Sequence, residues 1–377
     1  ISYAKSIDII VSFLMESGVK MLINDLQSAV DREVPIRILT GNYLGITQPS
    51  ALYLLRSAFG DRIDLRFYTD AKRSFHAKAY LFHRDNYNEI YVGSSNLSKS
   101  ALTNGIEWNY RFSDRDDPRS YRRFEQTFTD LFYGDDAEII DDTVLQRYSG
   151  DWHRPAVFKD RDRYDRKQGP GEKPSGTIPL YEPRGAQIEA LYQLERSRKE
   201  GAEKALVQAA TGIGKTYLAA FDSRSYERVL FVAHRHEILE QAARSFHNVR
   251  PEDSIGYFEG GNKETGAKLT FASVETLGRA EYLNERYFAP DAFDYLVIDE
   301  FHHAVNDSYL RIISYFKPKF MLGLTATPER MDGRDIYALC DYSVPYELSL
   351  RDAINKGYLC PFRYYGVYDS TDYSKLH

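Results

Sequence analysis

His76 and Lys78 stand two residues apart in the stretch SFHAKAYLF, and Gly93-Ser94-Ser95-Asn96 follows a short way downstream. If 76–82 is a strand, its alternation puts the histidine and the lysine on one face. That pair suits phosphodiester cleavage without a metal. The imidazole attacks phosphorus to form a phosphohistidine, and the ammonium neutralises the non-bridging oxygens. Asn96 and Ser94, on the loop after the next strand, are placed to hydrogen-bond the same phosphate. A lone His-x-Lys would say little; the Gly-Ser-x-Asn beside it gives it weight. No second His-x-Lys occurs in the chain.

A second group lies in AATGIGKT (209–216), after ALVQ and before the helical YLAAF. The pattern Gly-x4-Gly-Lys-Ser/Thr has Ala209 in place of its first glycine. Thr211, Gly212, Ile213 and Gly214 make a turn whose backbone N–H groups, backed by a helix N-terminus, suit a phosphate chain. Lys215 is placed for the β- and γ-phosphates and Thr216 for Mg²⁺. YLVIDEFHH then ends an apolar strand in two carboxylates. Asp299 would hold Mg²⁺ through water, and Glu300 would orient or deprotonate an attacking water. A glycine-rich helix cap and an acidic cap are the plain structural readings of these stretches, but their occurrence together speaks against both.

The elements that must carry these residues alternate. IDIIVSF (7–13), PIRILTG (35–41), IDLRFYT, HAKAYLF and EIYVGSS read as strands. A helix is expected around 21–30, another from TQPSALYLL with Pro49 in its first turn, and a third at YRRFEQTFTDLFYG that closes the domain. From Asp151 the pattern dissolves into DWHRPAVFKDRDRYDRKQGPGEKPSGT, a linker with seven Lys/Arg against five Asp/Glu, read as a solvated connector or as a DNA contact. A second alternation follows: ALVQAA, RVLFVAH, KLTFASV, YLVIDE and FMLGLTAT are the near-continuous apolar runs of a parallel sheet covered on both faces. The expected class is therefore α/β with two domains, at 1–150 and 179–377, joined by a linker at 151–178.

Length and composition agree. The chain has 377 residues, 43% hydrophobic and 28% charged, which is globular and too long for one ordinary core. No apolar run reaches the length of a membrane span. The only cysteines, Cys340 and Cys360, give no disulfide framework and suit a reducing cytoplasm. A net charge of −6 offers no global basic field, though an acidic protein can hold a basic groove. The 30 tyrosines serve either as stacking surfaces or as half-buried strand residues. The chain starts at Ile1 without methionine and is read as a piece of something longer.

The second half resembles the superfamily 2 helicases and translocases. DEFH (299–302) looks like their DEAH-type motif II, and LTATPER (324–330) like motif III, in which Thr325 and Thr327 would couple nucleotide state to the nucleic-acid track. PRGAQ (183–187) looks like the adenine-reading Q motif, with Arg184 and Gln187 at the matching spacing and Ala186 where an aromatic is frequent. AHRHEILEQA and FASVETL resemble motifs Ia and Ib, so that Arg235, Ser273 and Thr276 would lie along the strand of nucleic acid. Caps and surface groups use the same residue types, and both readings stay open for those three. The resemblance is to restriction motors and DNA-repair helicases and implies ATP, Mg²⁺ and DNA. After Pro361 nothing resembles a second RecA-like lobe, so half a motor is expected, with weak ATP binding and poor hydrolysis by this chain alone.

The first 112 residues resemble the phospholipase D superfamily, whose motif runs His-x-Lys, four residues, Asp, then Gly-Ser-x-Asn. His83 stands where that aspartate would be. In the branch of metal-independent restriction nucleases and helicase-fused nucleases a downstream glutamate enters the site, and Glu107 matches it; an ordinary surface carboxylate is the other reading. Because members pair two such motifs, one histidine as nucleophile and one as general acid, the resemblance implies a homodimer through the N-terminal domain. It points to an ATP-dependent DNA-processing enzyme of prokaryotic restriction or antiviral defence. The alternative is a motor whose phospholipase D-like domain is inactive and serves as a dimerising DNA-binding module. A lipid phosphodiesterase is disfavoured by the absence of any amphipathic, membrane-binding stretch.

Overall fold

The computed structural model describes residues 1–70, 73–155, 181–326 and 335–362. Its first sheet comprises β1 (Ser6–Val11), β2 (Ile36–Gly41), β3 (Asp64–Tyr68), β4 (Lys78–His83), β5 (Glu89–Gly93), β6 (Asn109–Ser113) and β7 (Ala137–Ile139). The spatial order is β6-β5-β4-β1-β2-β3-β7. β1, β2 and β3 run parallel; every other pairing is antiparallel. Period-two alternation sorts the two faces. Ile7, Ile9 and Val11 join the core beneath helices Glu16–Val30 and Pro49–Phe59. Ile10, Leu39 and Leu81 pack under Tyr121, Phe128 and Phe132 of helix Pro118–Phe132. That helix starts three residues before the expected Tyr121, with Pro118 in its first turn and Asp117 accepting the Ser120 N–H. It does not close the domain: β7 and helix Asp142–Asp151 follow it.

β4 begins at Lys78 rather than at His76, which corrects the expected strand over 76–82. The ladder with β1 ends at the pair Val11–Lys78. Beyond it, the Ser12 N–H turns to the Asn96 side chain at 3.0 Å and so leaves the ladder. With no strand partner, the segment carrying His76 stands off the sheet edge and the imidazole is exposed.

The second sheet comprises β8 (Lys204–Ala209), β9 (Val229–Ala233), β10 (Ile255–Glu259), β11 (Asn262–Lys263), β12 (Leu269–Ser273), β13 (Tyr295–Ile298), β14 (Phe320–Thr325) and β15 (Tyr346–Leu348). Its order is β11-β10-β12-β9-β13-β14-β8-β15, parallel except for the β10–β11 hairpin. Helices Ala186–Lys199, Lys215–Asp222 and His236–Val249 cover one face. Tyr309 and Ile312 of helix Asp307–Tyr315 pack on the other.

Helix Ala186–Lys199 also faces the first domain. Ile188 lies in the core beneath Pro49–Phe59, and Gln193 donates to the Tyr53 hydroxyl at 3.2 Å. Ser149, at the end of helix Asp142–Asp151, donates to buried Glu189 at 3.0 Å. Residues 156–180, which include most of the linker expected at 151–178, lie outside the described residues, as do Thr327 and the rest of TPER.

Candidate active sites

The turn after β1, the start of β4 and the loop after β5 meet at one end of the first sheet. Lys78 is buried, and its ammonium donates to the His76 carbonyl at 2.9 Å, which ties the two residues together through the backbone. The His76 ring lies against Tyr43, with centroids 4.5 Å apart. Crowding by neighbours, and then the Lys78 charge, lowers the imidazole pKa below its ordinary value. A nucleophilic histidine must be neutral, and both effects push it that way. Burial also lowers the Lys78 pKa, while the Glu107 charge pulls it back up. Ser94 links to the same carboxylate: its hydroxyl donates to Glu107 and accepts the Trp108 N–H at 2.9 Å. The side-chain oxygen of Asn96 accepts from Ser12 N at 3.0 Å and Phe13 N at 3.3 Å. Those donors fix the amide orientation and direct its nitrogen elsewhere; that nitrogen makes no hydrogen bond among the described residues. His76, Lys78, Ser94 and Glu107 thus interact directly, and Asn96 adjoins them through Ser12, whose hydroxyl donates to the Ala77 carbonyl at 3.3 Å.

His83 is elsewhere. It ends β4, five residues from Lys78 and therefore roughly 16 Å along the strand. Odd spacing turns it to the opposite face, under helix Pro118–Phe132. There it lies 2.8 Å from Asp8 and 3.1 Å from the Tyr121 hydroxyl. Arg37 closes the group with two hydrogen bonds to Asp8, at 2.7 and 2.8 Å. Burial would raise the Asp8 pKa, but the bonds from His83 and Arg37 hold it below the usual carboxylate range. The residue that departs from the family pattern therefore braces two strands and a helix, remote from the histidine–lysine cluster.

The nucleotide-binding candidates sit between β8 and helix Lys215–Asp222. Ala209 is fully buried inside β8, so the turn begins after it and the missing first glycine leaves no gap. Gly212 and Gly214 have φ of +96° and +83°, which glycine adopts without strain. A side chain at Gly214 would run into the Gln187 amide. Gln187 donates to the carbonyls of Ile213 and Gly214 at 3.3 and 3.2 Å and accepts the Arg184 N–H at 3.2 Å. The segment 183–187 is thereby stitched to the phosphate turn. Lys215 donates to the Ala209 carbonyl at 2.9 Å. Its pKa is lowered by burial and supported by Asp299 and Glu300. Asp299 is 8% exposed, and burial pushes its pKa up to about 6. A buried carboxylate short of positive charge, facing a glycine cradle, fits a magnesium–nucleotide complex. Glu300 has a left-handed backbone at φ 50°, a strained conformation for a non-glycine residue. His302 connects it, at 3.3 Å, to the buried Thr325 hydroxyl, again at 3.3 Å.

The three candidate DNA contacts differ among themselves. Arg235 is exposed at the start of helix His236–Val249. Ser273 caps the short helix Val274–Leu277 by accepting the Thr276 N–H at 3.2 Å, and Thr276 accepts from Ser273 at 3.0 Å and from Gly260 N at 3.1 Å. Both hydroxyls are therefore used inside the fold. Sequence reasoning missed Ser12, which fixes Asn96, and Tyr43, which backs His76. Neither belongs to a motif; Ser12 carried only the signal of a polar residue at the end of an apolar strand.

Two family models match separate stretches of the chain. Residues 1–132 match the family "Cardiolipin synthase, PLD-like domain", and residues 180–330 match "Type III restriction enzyme, res subunit". The EcoAI type I restriction enzyme endonuclease subunit of Escherichia coli is 29% identical over 48% of this chain and 24% of its own. The EcoKI endonuclease subunit of E. coli K12 is 24% identical over 64% of this chain and 23% of its own. The DNA 3'-5' translocase XPB2 of Sulfurisphaera tokodaii is 32% identical over 27% and 21%. The chain thus spans between a fifth and a quarter of the length of these relatives. No helix among the described residues is long and apolar enough to cross a membrane. The protein is a two-domain α/β chain in which a phospholipase D-like domain precedes a superfamily 2 helicase domain of the restriction-enzyme type.

Proposed function

We propose that this chain is an ATP-dependent DNA-processing enzyme that couples a metal-independent nuclease to a superfamily 2 motor, in prokaryotic restriction or antiviral defence. The observation that carries the nuclease half is the cluster of His76, Lys78, Ser94, Asn96 and Glu107 around one sheet end. Restriction subunits among the relatives support the motor half and its setting.

In the nuclease, neutral His76 attacks phosphorus while the P–O bond to the leaving strand breaks. Lys78 and the Asn96 amide nitrogen stabilise the charge on the non-bridging oxygens. The leaving oxygen needs a proton, which one cluster with a single histidine does not supply. The partner's His76, in protonated form, would give it and then deprotonate the water that hydrolyses the phosphohistidine. β6 favours such pairing. It is one of the two edges of the first sheet among the described residues; Tyr110 within it is 70% exposed, and Ile106 and Trp108, in the stretch with Glu107 just before it, are 95% and 84% exposed. An apolar open edge is a template for a second copy.

In the motor, the turn 211–214, Lys215 and Thr216 would hold the phosphates, and Arg184 and Gln187 the base. Thr216 and Asp299 would hold the Mg²⁺ that accompanies ATP, whose chemistry there is neutralisation of phosphate charge. Glu300 would orient the water, and Thr325 would sense the change through His302. Arg235 is the exposed candidate for DNA, with Ser273 and Thr276 acting first as caps.

The alternative, an inactive DNA-binding clamp, drew its support from His83, and the remote position of that residue weakens it. Cleavage of DNA in excess EDTA, with His76→Ala alongside, separates the two. Cutting that depends on His76 is expected; silence from folded, dimeric protein would favour the clamp.

A further inference from the structure

The candidate nucleotide pocket does not end within its own domain. A cavity of about 310 Å³ opens beside the phosphate turn, with Arg184, Gly185 and Ile213 on one side. Its opposite wall is Glu16, Gln48 and Ser50 of the phospholipase D-like domain. Glu16 accepts the Gly185 N–H at 3.0 Å and pairs with Lys20 at 2.9 Å. Lys20 in turn donates to the Pro183 carbonyl at 2.7 Å. The segment 183–187, which would read the base, is therefore held from the other domain.

The two polar groups on that wall are complementary in kind. A carboxylate offers about four lone-pair sites, so Glu16 keeps acceptor capacity beyond Gly185 and Lys20. The Gln48 amide oxygen takes the Glu16 N–H at 2.8 Å, and its amide nitrogen makes no hydrogen bond among the described residues. An acceptor beside a donor matches the edge of adenine, which offers an amino N–H next to a ring nitrogen. Guanine presents a carbonyl and a ring N–H in those places and would face both groups with the wrong partner.

We infer that Glu16 and Gln48 complete the base pocket from the phospholipase D-like domain and select adenine over guanine nucleotides. This rests on the reading of 209–216 as a nucleotide site.

The test is equilibrium binding of fluorescent ATP and GTP analogues to the full 377-residue chain, wild type and Glu16→Ala, with Gln48→Ala as the variant that leaves the Glu16–Gly185 contact in place. The wild type should prefer ATP. Glu16→Ala should lose about tenfold in ATP affinity, and Gln48→Ala about threefold, with GTP affinity unchanged in both. Unchanged ATP affinity in both variants, or equal losses for ATP and GTP, would overturn the proposal and leave Glu16 as a purely structural clamp. If the wild type bound neither analogue saturably, the nucleotide-site reading itself would fall, and this inference with it.

Discussion

The two candidate sites are built in opposite ways. The nucleotide site centres on one continuous strand, turn and helix, with the carboxylate strand β13 two positions away in the sheet; Asp299 is buried, Lys215 and Glu300 are half-buried, and their charges act on one another. The histidine–lysine site is gathered from three separated stretches at a sheet end, keeps His76 exposed, and holds no second histidine among the described residues. A site that grips a small, highly charged ligand can centre on one continuous turn and take its remaining wall from whatever packs beside it. A cluster gathered at a sheet end stays open to solvent and to a large substrate.

The contrast breaks first at the nucleophile. His76→Ala should reduce cleavage in EDTA by about 10⁴-fold or more, with nucleotide affinity unchanged; comparable loss of both would mean the sites are not separable. The reverse change, Lys215→Ala, should weaken ATP binding by more than about tenfold while EDTA-resistant cutting persists, read by titration and by a nicking assay. At the open edge, Trp108→Asp should weaken self-association by roughly thirtyfold, with cleavage falling in step as the protein is diluted. Sedimentation checks this, and a monomeric variant that cuts normally would remove the need for a second copy.

The smallest effect sharpens the comparison at the buried site. Asp299 has a folded pKa of about 6, above its ordinary 3.8, so the folded state favours its neutral form. Stability from that protonation is complete below pH 3.8 and is lost as pH rises through 6. Asp299→Asn should therefore stabilise the chain above pH 6 by roughly 2 kcal/mol, with the gain vanishing near pH 4. Urea midpoints at the two pH values measure it. No gain at pH 7.5 would mean that Asp299 is not poised for a cation.

How much could be read from sequence follows from the same contrast. Motifs contained in one strand–turn–helix, such as 209–216, carry their geometry in their order, and even Ala209 proved harmless because it belongs to the strand. The interior strands announced themselves as apolar runs. β6, β7, β10 and β15, which lie at or next to sheet edges, did not: each has only three to five residues, and IGYFE does not alternate. The start of β4 was misplaced because the end of a ladder depends on a distant partner, here Asn96. His83 illustrates the limit most clearly. Its place in the motif made it look like a damaged catalytic position, and only the pleat reveals that it faces another core.

Helix Ala186–Lys199 opens the helicase domain in sequence, yet Ile188 is buried in the core of its neighbour and Glu189 bonds to Ser149 there. The two domains are therefore not interchangeable modules. Cutting the chain at residue 180 would strip apolar cover from the first piece and leave the second with a naked helix face. A junction after Lys199 would not solve this, because Ala186, Ala190 and Leu194 of the same helix belong to the core of the second domain. In evolutionary bookkeeping, the unit of inheritance is the pair.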